Sequence, residues 1–193
     1  MMKDKYIEEL IEKIRETEVW VRDKKKCADY SEGITLLLEK FTEHKKNGSS
    51  VFFIGNGGSS AIAGHMTADF MKNGGMKTYS LYDNAVTTCM GNDYGYEYIF
   101  SRPLEFLLNP GDLLVAISSS GNSRNICSAI ETAGSRDVEV ITFTGFRPDN
   151  QAKQMGAVNV YVPSEKYGIV ESVHNLVLQQ IVDLIMERDG VKL

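Results

Sequence analysis

The clearest structural signal in the chain is the stretch Val51-Phe52-Phe53-Ile54-Gly55-Asn56-Gly57-Gly58-Ser59-Ser60. A short apolar run that ends in glycines predicts a buried β-strand followed by a tight turn. Glycine lets the backbone approach a ligand closely, and Ser59 is predicted to cap the following helix, whose N-terminus attracts anions. A purely structural turn would have the same composition. The spacing fits neither the dinucleotide-binding pattern nor the P-loop.

Four further apolar runs have the same strand-like character, at residues 78–81, 113–117, 138–143 and 158–162. Helix-like stretches lie between and after them, at 60–73, 96–107, 124–134, 150–155 and 168–188. Alternating strands and helices predict an α/β fold in which helices cover both faces of a parallel sheet. Ligands of such sheets bind at the carboxyl ends of the strands, so the residues that follow each strand are the candidate site.

The first 48 residues have a different pattern, with almost no glycine or proline. Apolar residues at helical spacing run through Ile7, Ile11 and Ile14, and Trp20 and Val21 are predicted to extend this helix. A second helix is expected after Ser31, with its end at 45–48. We therefore expect one domain over 1–193, in which 1–48 are N-terminal helices for oligomer packing and 49–193 form the α/β core. Packing of the first helix on its own domain is the alternative.

The composition excludes several classes of protein. The chain has 193 residues with 21 Lys and Arg against 26 Asp and Glu, a formal net charge of −5. A mildly acidic protein lacks the broad positive field that non-specific nucleic-acid binding needs, so no direct nucleic-acid partner is expected. The charged N-terminus does not resemble a signal peptide, and no apolar run approaches the length of a membrane span.

The cysteines indicate the cellular compartment. Cys27, Cys89 and Cys127 are far apart and odd in number, which fits neither a disulfide framework nor a close-spaced zinc finger. Reduced thiols in a cytoplasmic protein are the simplest interpretation.

A second polar segment follows the 113–117 strand. It reads Ser118-Ser119-Ser120-Gly121-Asn122-Ser123 and leads into the 124–134 helix. Four hydroxyls and several backbone N–H groups at a helix N-terminus could surround a phosphate, whereas a simple helix cap would need a single serine. No Lys or Arg lies in the segment itself, although Arg124 follows it, so a monophosphate held by hydroxyls and amides suits it better than a nucleoside triphosphate.

A third segment, Gly91-Asn92-Asp93-Tyr94-Gly95-Tyr96-Glu97, lies between these two in sequence. Its Asn92 and Asp93 side chains could donate to and accept from sugar hydroxyls. A turn with an Asx cap explains the same residues equally well.

Together with Phe100-Ser101-Arg102, these three segments resemble the SIS (sugar isomerase) fold, and more narrowly the phosphoheptose isomerases. Those enzymes convert sedoheptulose 7-phosphate to D-glycero-D-manno-heptose 7-phosphate for bacterial surface polysaccharide. The resemblance implies a flavodoxin-like, five-stranded parallel sheet and a homotetramer with active sites shared between subunits. It further implies two groups of binding residues. The phosphate would be bound by Ser118, Ser119, Ser120 and Ser123, and the rest of the substrate by Asn56, Gly57, Gly58, Ser59, Asn92 and Asp93.

Isomerisation through an enediol needs a group that moves a proton between adjacent carbons, and it needs no redox or nucleotide cofactor. His65 and Asp69 are four residues apart on the helix after the glycines, so they share a helix face. In the family, the matching positions are a histidine and a glutamate, and the last helix supplies a glutamine and a second histidine. Those four residues bind zinc.

Matched to that pattern, this chain has His65, Asp69, Glu171 and Gln179, with the last two on the 168–188 helix. An imidazole, two carboxylates and an amide oxygen can hold a divalent metal, which the resemblance implies is zinc. Asp69 and Glu171 could divide the proton transfers, and Gln179 stands where the family has its second catalytic histidine. His174 lies about 140° around the helix from Gln179, so the two are not expected to face one site.

The altered residues leave more than one function open. The first is an isomerase of a heptose phosphate or of another ketose phosphate. The second is a sugar-phosphate-binding or regulatory relative without catalysis, like the replication-initiator-associating proteins of this fold. Retained carboxylates at Asp69 and Glu171 favour the isomerase.

Overall fold

The computed structural model describes residues 2–23 and 25–191. These contain eight α-helices and seven β-strands. The helices are α1 (Met2–Arg15), α2 (Tyr30–Asn47), α3 (Gly58–Lys72), α4 (Asn84–Asp93), α5 (Ser101–Leu107), α6 (Arg124–Gly134), α7 (Gln151–Met155) and α8 (Tyr167–Arg188). The strands are β1 (Glu18–Val21), β2 (Lys25–Lys26), β3 (Ser50–Gly55), β4 (Lys77–Ser80), β5 (Leu113–Ser118), β6 (Glu139–Thr144) and β7 (Val158–Tyr161).

The strands form one sheet in the order β2-β1-β7-β6-β5-β3-β4. The five strands from β7 to β4 are parallel, which confirms the predicted α/β architecture. The sheet nevertheless has seven strands instead of the five expected, because β1 pairs antiparallel with β7 and β2 pairs antiparallel with β1. The strand order reverses between β3 and β5, so ligands are expected at the carboxyl ends of these two neighbouring strands.

The prediction that Trp20 and Val21 extend the first helix is wrong. They belong to β1, in which Trp20 pairs with Asn159 and Val21 with Val158 of β7. β-branched and aromatic residues suit a strand, and here Val19 is buried against α2. A β-carbon at Gly33 of α2 would lie 2.8 Å from the Val19 β-carbon, so the glycine is what lets this hairpin pack on the domain.

The predicted second helix is confirmed, and it begins at Tyr30, two residues earlier than a helix that follows Ser31. Asp29 caps α2 by accepting from the backbone N–H of Glu32 at 2.9 Å. Gly48 ends the helix in the left-handed conformation, with φ +67°. Both caps are the residue types that helix termini prefer.

Two hydrophobic layers sandwich the sheet. Alternate strand residues face opposite sides, so Phe53 and Val115 lie in one layer while Phe52 and Leu114 lie in the other. The first layer is covered by α2, α3 and α8, and the second by α5, α6 and α7. Within the first layer, Leu10 and Ile14 of α1 pack on the core, whereas Ile7 and Ile11 are about half exposed.

Helices α4 and α8 both depart from the expectations drawn from the sequence. None of the residues of α4 is buried, which explains why no apolar stripe predicted this helix. By length and composition alone, α8 could cross a membrane, contrary to the expectation from the sequence. Half of it is buried, however, and its apolar residues complete the first core layer, as in the core helix of a globular domain.

Candidate active site

The carboxyl ends of β3 and β5 carry two of the segments singled out in the sequence. We call residues 55–59 the glycine loop and residues 118–123 the serine loop. Gly55 at the end of β3 is in register with Ile117 of β5, so the two loops leave the sheet side by side. The sequence therefore predicted correctly that both segments lie at one edge of the sheet.

The glycine loop needs its glycines for steric reasons. A β-carbon at Gly55 would lie 2.6 Å from the carbonyl carbon of Ser59, and Gly57 has φ +54°. The expectation that Ser59 caps the next helix is wrong. Helix α3 begins at Gly58 with Gly57 as the capping residue, so Ser59 lies within the first turn and is buried.

The serine loop is partly held by its own hydroxyls. The backbone N–H of Gly121 donates to Ser118 Oγ at 3.2 Å, and that of Asn122 donates to Ser120 Oγ at 3.3 Å. Ser123 precedes α6 but its side chain makes no capping hydrogen bond. Its Oγ lies 3.5 Å from that of Ser118.

Ser119 differs from the other serines. It is 4% exposed, and its hydroxyl has no hydrogen-bond partner among the described residues, although its carbonyl accepts from Gly145 N–H at 2.9 Å. Buried hydroxyls are nearly always paired, so an unpaired one beside a helix N-terminus is suited to a ligand oxygen.

Asn150, which the sequence analysis missed, supports the serine loop from behind. At Gly121, with φ +65°, a β-carbon would lie 2.7 Å from the Asn150 β-carbon. Asn150 also caps α7 by accepting from the N–H of Lys153 at 3.0 Å. Only glycine fits at position 121, and the loop is thereby fixed against α7.

Glu171 lies at the glycine loop. A β-carbon at Gly58 would lie 2.6 Å from the carboxyl carbon of Glu171, so the carboxylate rests directly on the first residue of α3. Burial raises the pKa of Glu171 above its usual range. A carboxyl group with a raised pKa beside a candidate ligand loop is suited to accept and return a proton.

A cleft of about 470 Å³ opens between the two loops. Its lining is Asn56, Gly95, Tyr96, Glu97, Ser123, Arg124 and Asn125. The Asn56 amide exchanges two hydrogen bonds with that of Asn125, at 2.9 and 2.8 Å, and its Oδ1 also accepts from Tyr96 Oη at 3.1 Å. Sequence reasoning missed Asn125 and Tyr96, because nothing local indicates that they meet Asn56.

Asn92 and Asp93 are not part of that lining among the described residues. They lie at the exposed end of α4, where Asn92 Nδ2 donates to Asp93 Oδ1 at 2.8 Å. In this structure their polar atoms are paired with each other at the rim of the site.

The remaining predicted residues lie farther along the helices. His65 Nε2 and Asp69 Oδ2 are 3.5 Å apart on one face of α3, as the spacing predicted. Since α3 rises about 1.5 Å per residue, Asp69 lies about 16 Å along the axis from Gly58, where Glu171 rests. One chain therefore does not bring the two carboxylates together.

The residues present do not form a metal site within one chain. Among the described residues, no three His, Cys, Asp or Glu side chains are grouped so that they could hold a metal ion. His65 lies in the middle of α3 and Asp69 in its second half, whereas Glu171 rests at the first residue of that helix, Gly58. Gln179 lies half-buried on α8.

His174 is enclosed behind the site. It is fully buried, its Nε2 donates to the Thr144 carbonyl at 3.1 Å, and burial lowers its pKa to about 4. Its neutral ring ties α8, which carries Glu171, to the carboxyl end of β6.

Comparison with known proteins identifies the family. The model of the SIS domain matches residues 24–145, a range that includes both loops. The phosphoheptose isomerase of Akkermansia muciniphila is 37% identical over 150 residues, which cover 75% of this chain and 79% of that enzyme. That of Shewanella loihica is 36% identical over 162 residues, covering 80% and 82%. The chain belongs to the phosphoheptose isomerase family.

Solved structures of phosphoheptose isomerases have the same fold as this chain. The phosphoheptose isomerase of Neisseria gonorrhoeae has a TM-score of 0.74 at 33% identity, over 79% of this chain and 84% of that one. The enzyme from Francisella tularensis also has a TM-score of 0.74, at 29% identity and over 80% and 85%. The chain thus has the fold of the phosphoheptose isomerases, and the glycine loop and the serine loop are part of it.

Proposed function

We propose that this protein isomerises sedoheptulose 7-phosphate to D-glycero-D-manno-heptose 7-phosphate, in the synthesis of heptose for surface polysaccharide. The observation that carries this proposal is the Glu171 carboxylate on Gly58, next to a serine loop with an unpaired buried hydroxyl. A proton-transferring group and a phosphate-binding loop are thus placed at one edge of the sheet. The family's activity needs both.

The proposed chemistry is a proton transfer between adjacent carbons. Glu171 takes the proton from C1 of the ketose, and the electron pair left behind forms an enediolate with the C2 carbonyl. Returning the proton to C2 gives the aldose, while the O1 hydroxyl proton moves to O2. All atoms and electrons are conserved, so no redox partner is needed. The raised pKa makes the Glu171 carboxylate a stronger base than an ordinary glutamate.

The phosphate is assigned to the serine loop. Ser119 and Ser123 have hydroxyls free of internal capping bonds, and the first N–H groups of α6 have no acceptor within the helix. Ser118 and Ser120 hold the loop and still have capacity for a ligand oxygen. Hydroxyls and amides thus bind the anion although the chain carries a net charge of −5.

The sugar is assigned to the glycine loop and its surroundings. Gly57 and Gly58 leave their backbone accessible, and Asn56 retains one amide N–H. Asn92 and Asp93 at the rim are proposed to contact distal hydroxyls, and the buried Ser59 to support the loop.

Among the described residues of one chain, no three His, Cys, Asp or Glu side chains are grouped to hold a metal, so no step is assigned to one. We propose that the active unit is a homotetramer with shared sites. About 16 Å along α3 separates Asp69 from Glu171, so a site that uses His65, Asp69 and Gln179 with Glu171 requires a second chain. The half-exposed Ile7 and Ile11 of α1 offer an apolar face for such an assembly.

Asp69→Asn tests the shared site. If Asp69 takes part in proton transfer, turnover falls by about 100-fold or more while light scattering still finds a tetramer. Retained turnover in the intact tetramer would remove Asp69 from the catalytic set.

The function itself is tested by incubating the purified protein with sedoheptulose 7-phosphate and following the aldose by NMR. Fructose 6-phosphate in parallel distinguishes an isomerase of another ketose phosphate. Binding by calorimetry without turnover would instead indicate a regulatory sugar-phosphate-binding protein. Three free cysteines agree with the proposed cytoplasmic location.

A further inference from the structure

The most completely hydrogen-bonded side chain in the cleft is Asn56. Asn125 Nδ2 donates to its Oδ1 at 2.8 Å, and its own Nδ2 donates to Asn125 Oδ1 at 2.9 Å. Tyr96 Oη donates to the same Oδ1 at 3.1 Å. Three segments of the chain therefore meet at one amide: the glycine loop, the turn at 95–98 and the first turn of α6.

These bonds decide what Asn56 can offer a ligand. An amide oxygen accepts two hydrogen bonds, and both are taken, whereas the amide nitrogen has two N–H groups and uses one. An amide that could otherwise face either way is held in one orientation. What remains available is a single donor.

Asn125 is buried at a position where an apolar residue would ordinarily pack. It is 2% exposed and precedes Ile126, which is part of the second core layer. Burying an amide costs free energy unless its hydrogen bonds are made, and here Asn56 makes them. The pair also joins the glycine loop to the helix that the serine loop precedes, across the point where the strand order reverses.

We propose that Asn125 is a positioning residue that holds Asn56 as a hydrogen-bond donor to an oxygen of the bound sugar. Tyr96 has the same role from the open side of the cleft. The inference rests on the proposed function, because it takes the cleft to be the sugar site. The positioning role affects only the binding of the sugar part of the ligand, since the proposed phosphate site in the serine loop does not include Asn56.

The test compares two ligands of Asn125→Asp. The aspartate keeps an acceptor for Asn56 Nδ2 but places a second acceptor against Asn56 Oδ1, which removes the fixed orientation. Calorimetry is expected to show that the Kd for sedoheptulose 7-phosphate rises at least about tenfold, from the loss of well-formed buried hydrogen bonds. The Kd for inorganic phosphate, which the serine loop alone binds, is expected to stay within about twofold of wild type.

Asn159→Ala is the matched control. Asn159 is as buried as Asn125, and its amide donates to Thr142 and Thr144 on the strands. Its loss is expected to lower the Tm without changing the ratio of the two Kd values. Tyr96→Phe, on an exposed residue that cannot unfold the core, is expected to raise the sugar-phosphate Kd about threefold, the effect of one lost hydrogen bond.

Two results would overturn the positioning role. One is an equal rise of both Kd values in Asn125→Asp, which would make the pair a general support of the site. The other is an unchanged Kd for the sugar phosphate in both Asn125→Asp and Tyr96→Phe. Failure of the proposed function is seen separately, as wild-type protein that does not bind sedoheptulose 7-phosphate.

Discussion

The polar side chains at the two ends of the parallel sheet differ in whether they have partners within the chain. At the amino end, Glu139 accepts from His44 at 2.9 Å and pairs with Lys40 at 2.8 Å. Asp112 accepts from the N–H groups of Ser50 and Asn109, at 2.8 and 2.9 Å. At this end the charged groups have partners within the chain.

At the carboxyl end, the Ser119 hydroxyl has no partner among the described residues, and the pKa of Glu171 is raised by burial alone. The His44 hydrogen bond and the Lys40 ion pair instead lower the pKa of Glu139 to about 2, although burial opposes them. Polar groups with hydrogen-bond partners stabilise the fold, whereas those without a partner at a strand end are available for a ligand. Changes at the two ends should therefore have opposite consequences.

The largest effect is expected from Glu171→Gln, which removes the proton-transferring group at the carboxyl end. Turnover should fall about 1,000-fold, within the range of general acid–base catalysis, while the Tm stays near that of wild type. Glu187→Gln, an exposed carboxylate near the end of the same helix, is the control and should keep full turnover. A variant at position 171 that loses stability but keeps turnover would show that Glu171 stabilises the fold and does not transfer the proton.

The next effect belongs to the amino end. Glu139→Gln leaves His44 and Lys40 without their charged partner, so urea denaturation should show a loss of about 2 kcal/mol. Turnover should be unchanged, because Glu139 begins β6 at the end of the sheet opposite to the ligand loops. A large loss of turnover at unchanged stability would contradict the conclusion that polar groups at the amino end of the sheet stabilise the fold and take no part in turnover.

Ser119→Ala should have a smaller effect, on binding only. The sugar-phosphate Kd should rise about tenfold. Stability should not fall, because the hydroxyl has no hydrogen-bond partner among the described residues. Ser135→Ala is the opposite control: it loses the bond to the Thr132 carbonyl at 2.8 Å and should lower the Tm slightly at unchanged Kd. An unchanged Kd for Ser119→Ala would remove this hydroxyl from the phosphate site.

The smallest effect is a pH dependence at His174. Its pKa is lowered to about 4 by burial, so below about 6.5 the unfolded chain binds a proton that the folded chain does not. This stability is present above pH 6.5 and is lost as the pH falls toward 4. Between pH 7 and 6, wild type should lose about 0.7 kcal/mol more than His174→Gln in urea denaturation. An equal loss in both proteins would contradict the assignment.

The sequence predicted the elements that are determined locally. The central strands β3 and β5 are apolar runs that end in Gly55 and Ser118, and the ends of α2 carry Asp29 and Gly48 as standard caps. Trp20 and Val21 were misassigned because a four-residue strand also fits a helical pattern. Their strand conformation depends on pairing with β7, since Val21 pairs with Val158, a residue 137 positions later in the chain.

The candidate site could be predicted only in part, for the same reason. The two loops were found because polar residues after buried strands meet at one edge of a parallel sheet. The contact of Glu171 with Gly58 and the pairing of Asn56 with Asn125 join distant segments, and no local pattern indicates them. The sequence placed Asp69 with Glu171, but the length of α3 separates them within one chain.

We propose above all that Glu171, at the carboxyl end of the sheet, moves a proton of a bound ketose phosphate. The most direct measurement is proton NMR of sedoheptulose 7-phosphate in D₂O with EDTA-treated protein, with and without added Zn²⁺. We expect wild type to form the aldose and to incorporate deuterium at the carbon that receives the proton, and Glu171→Gln to do neither. Aldose formation at the wild-type rate by Glu171→Gln, or sugar-phosphate binding by wild type with neither aldose nor deuterium incorporation in either condition, would contradict it.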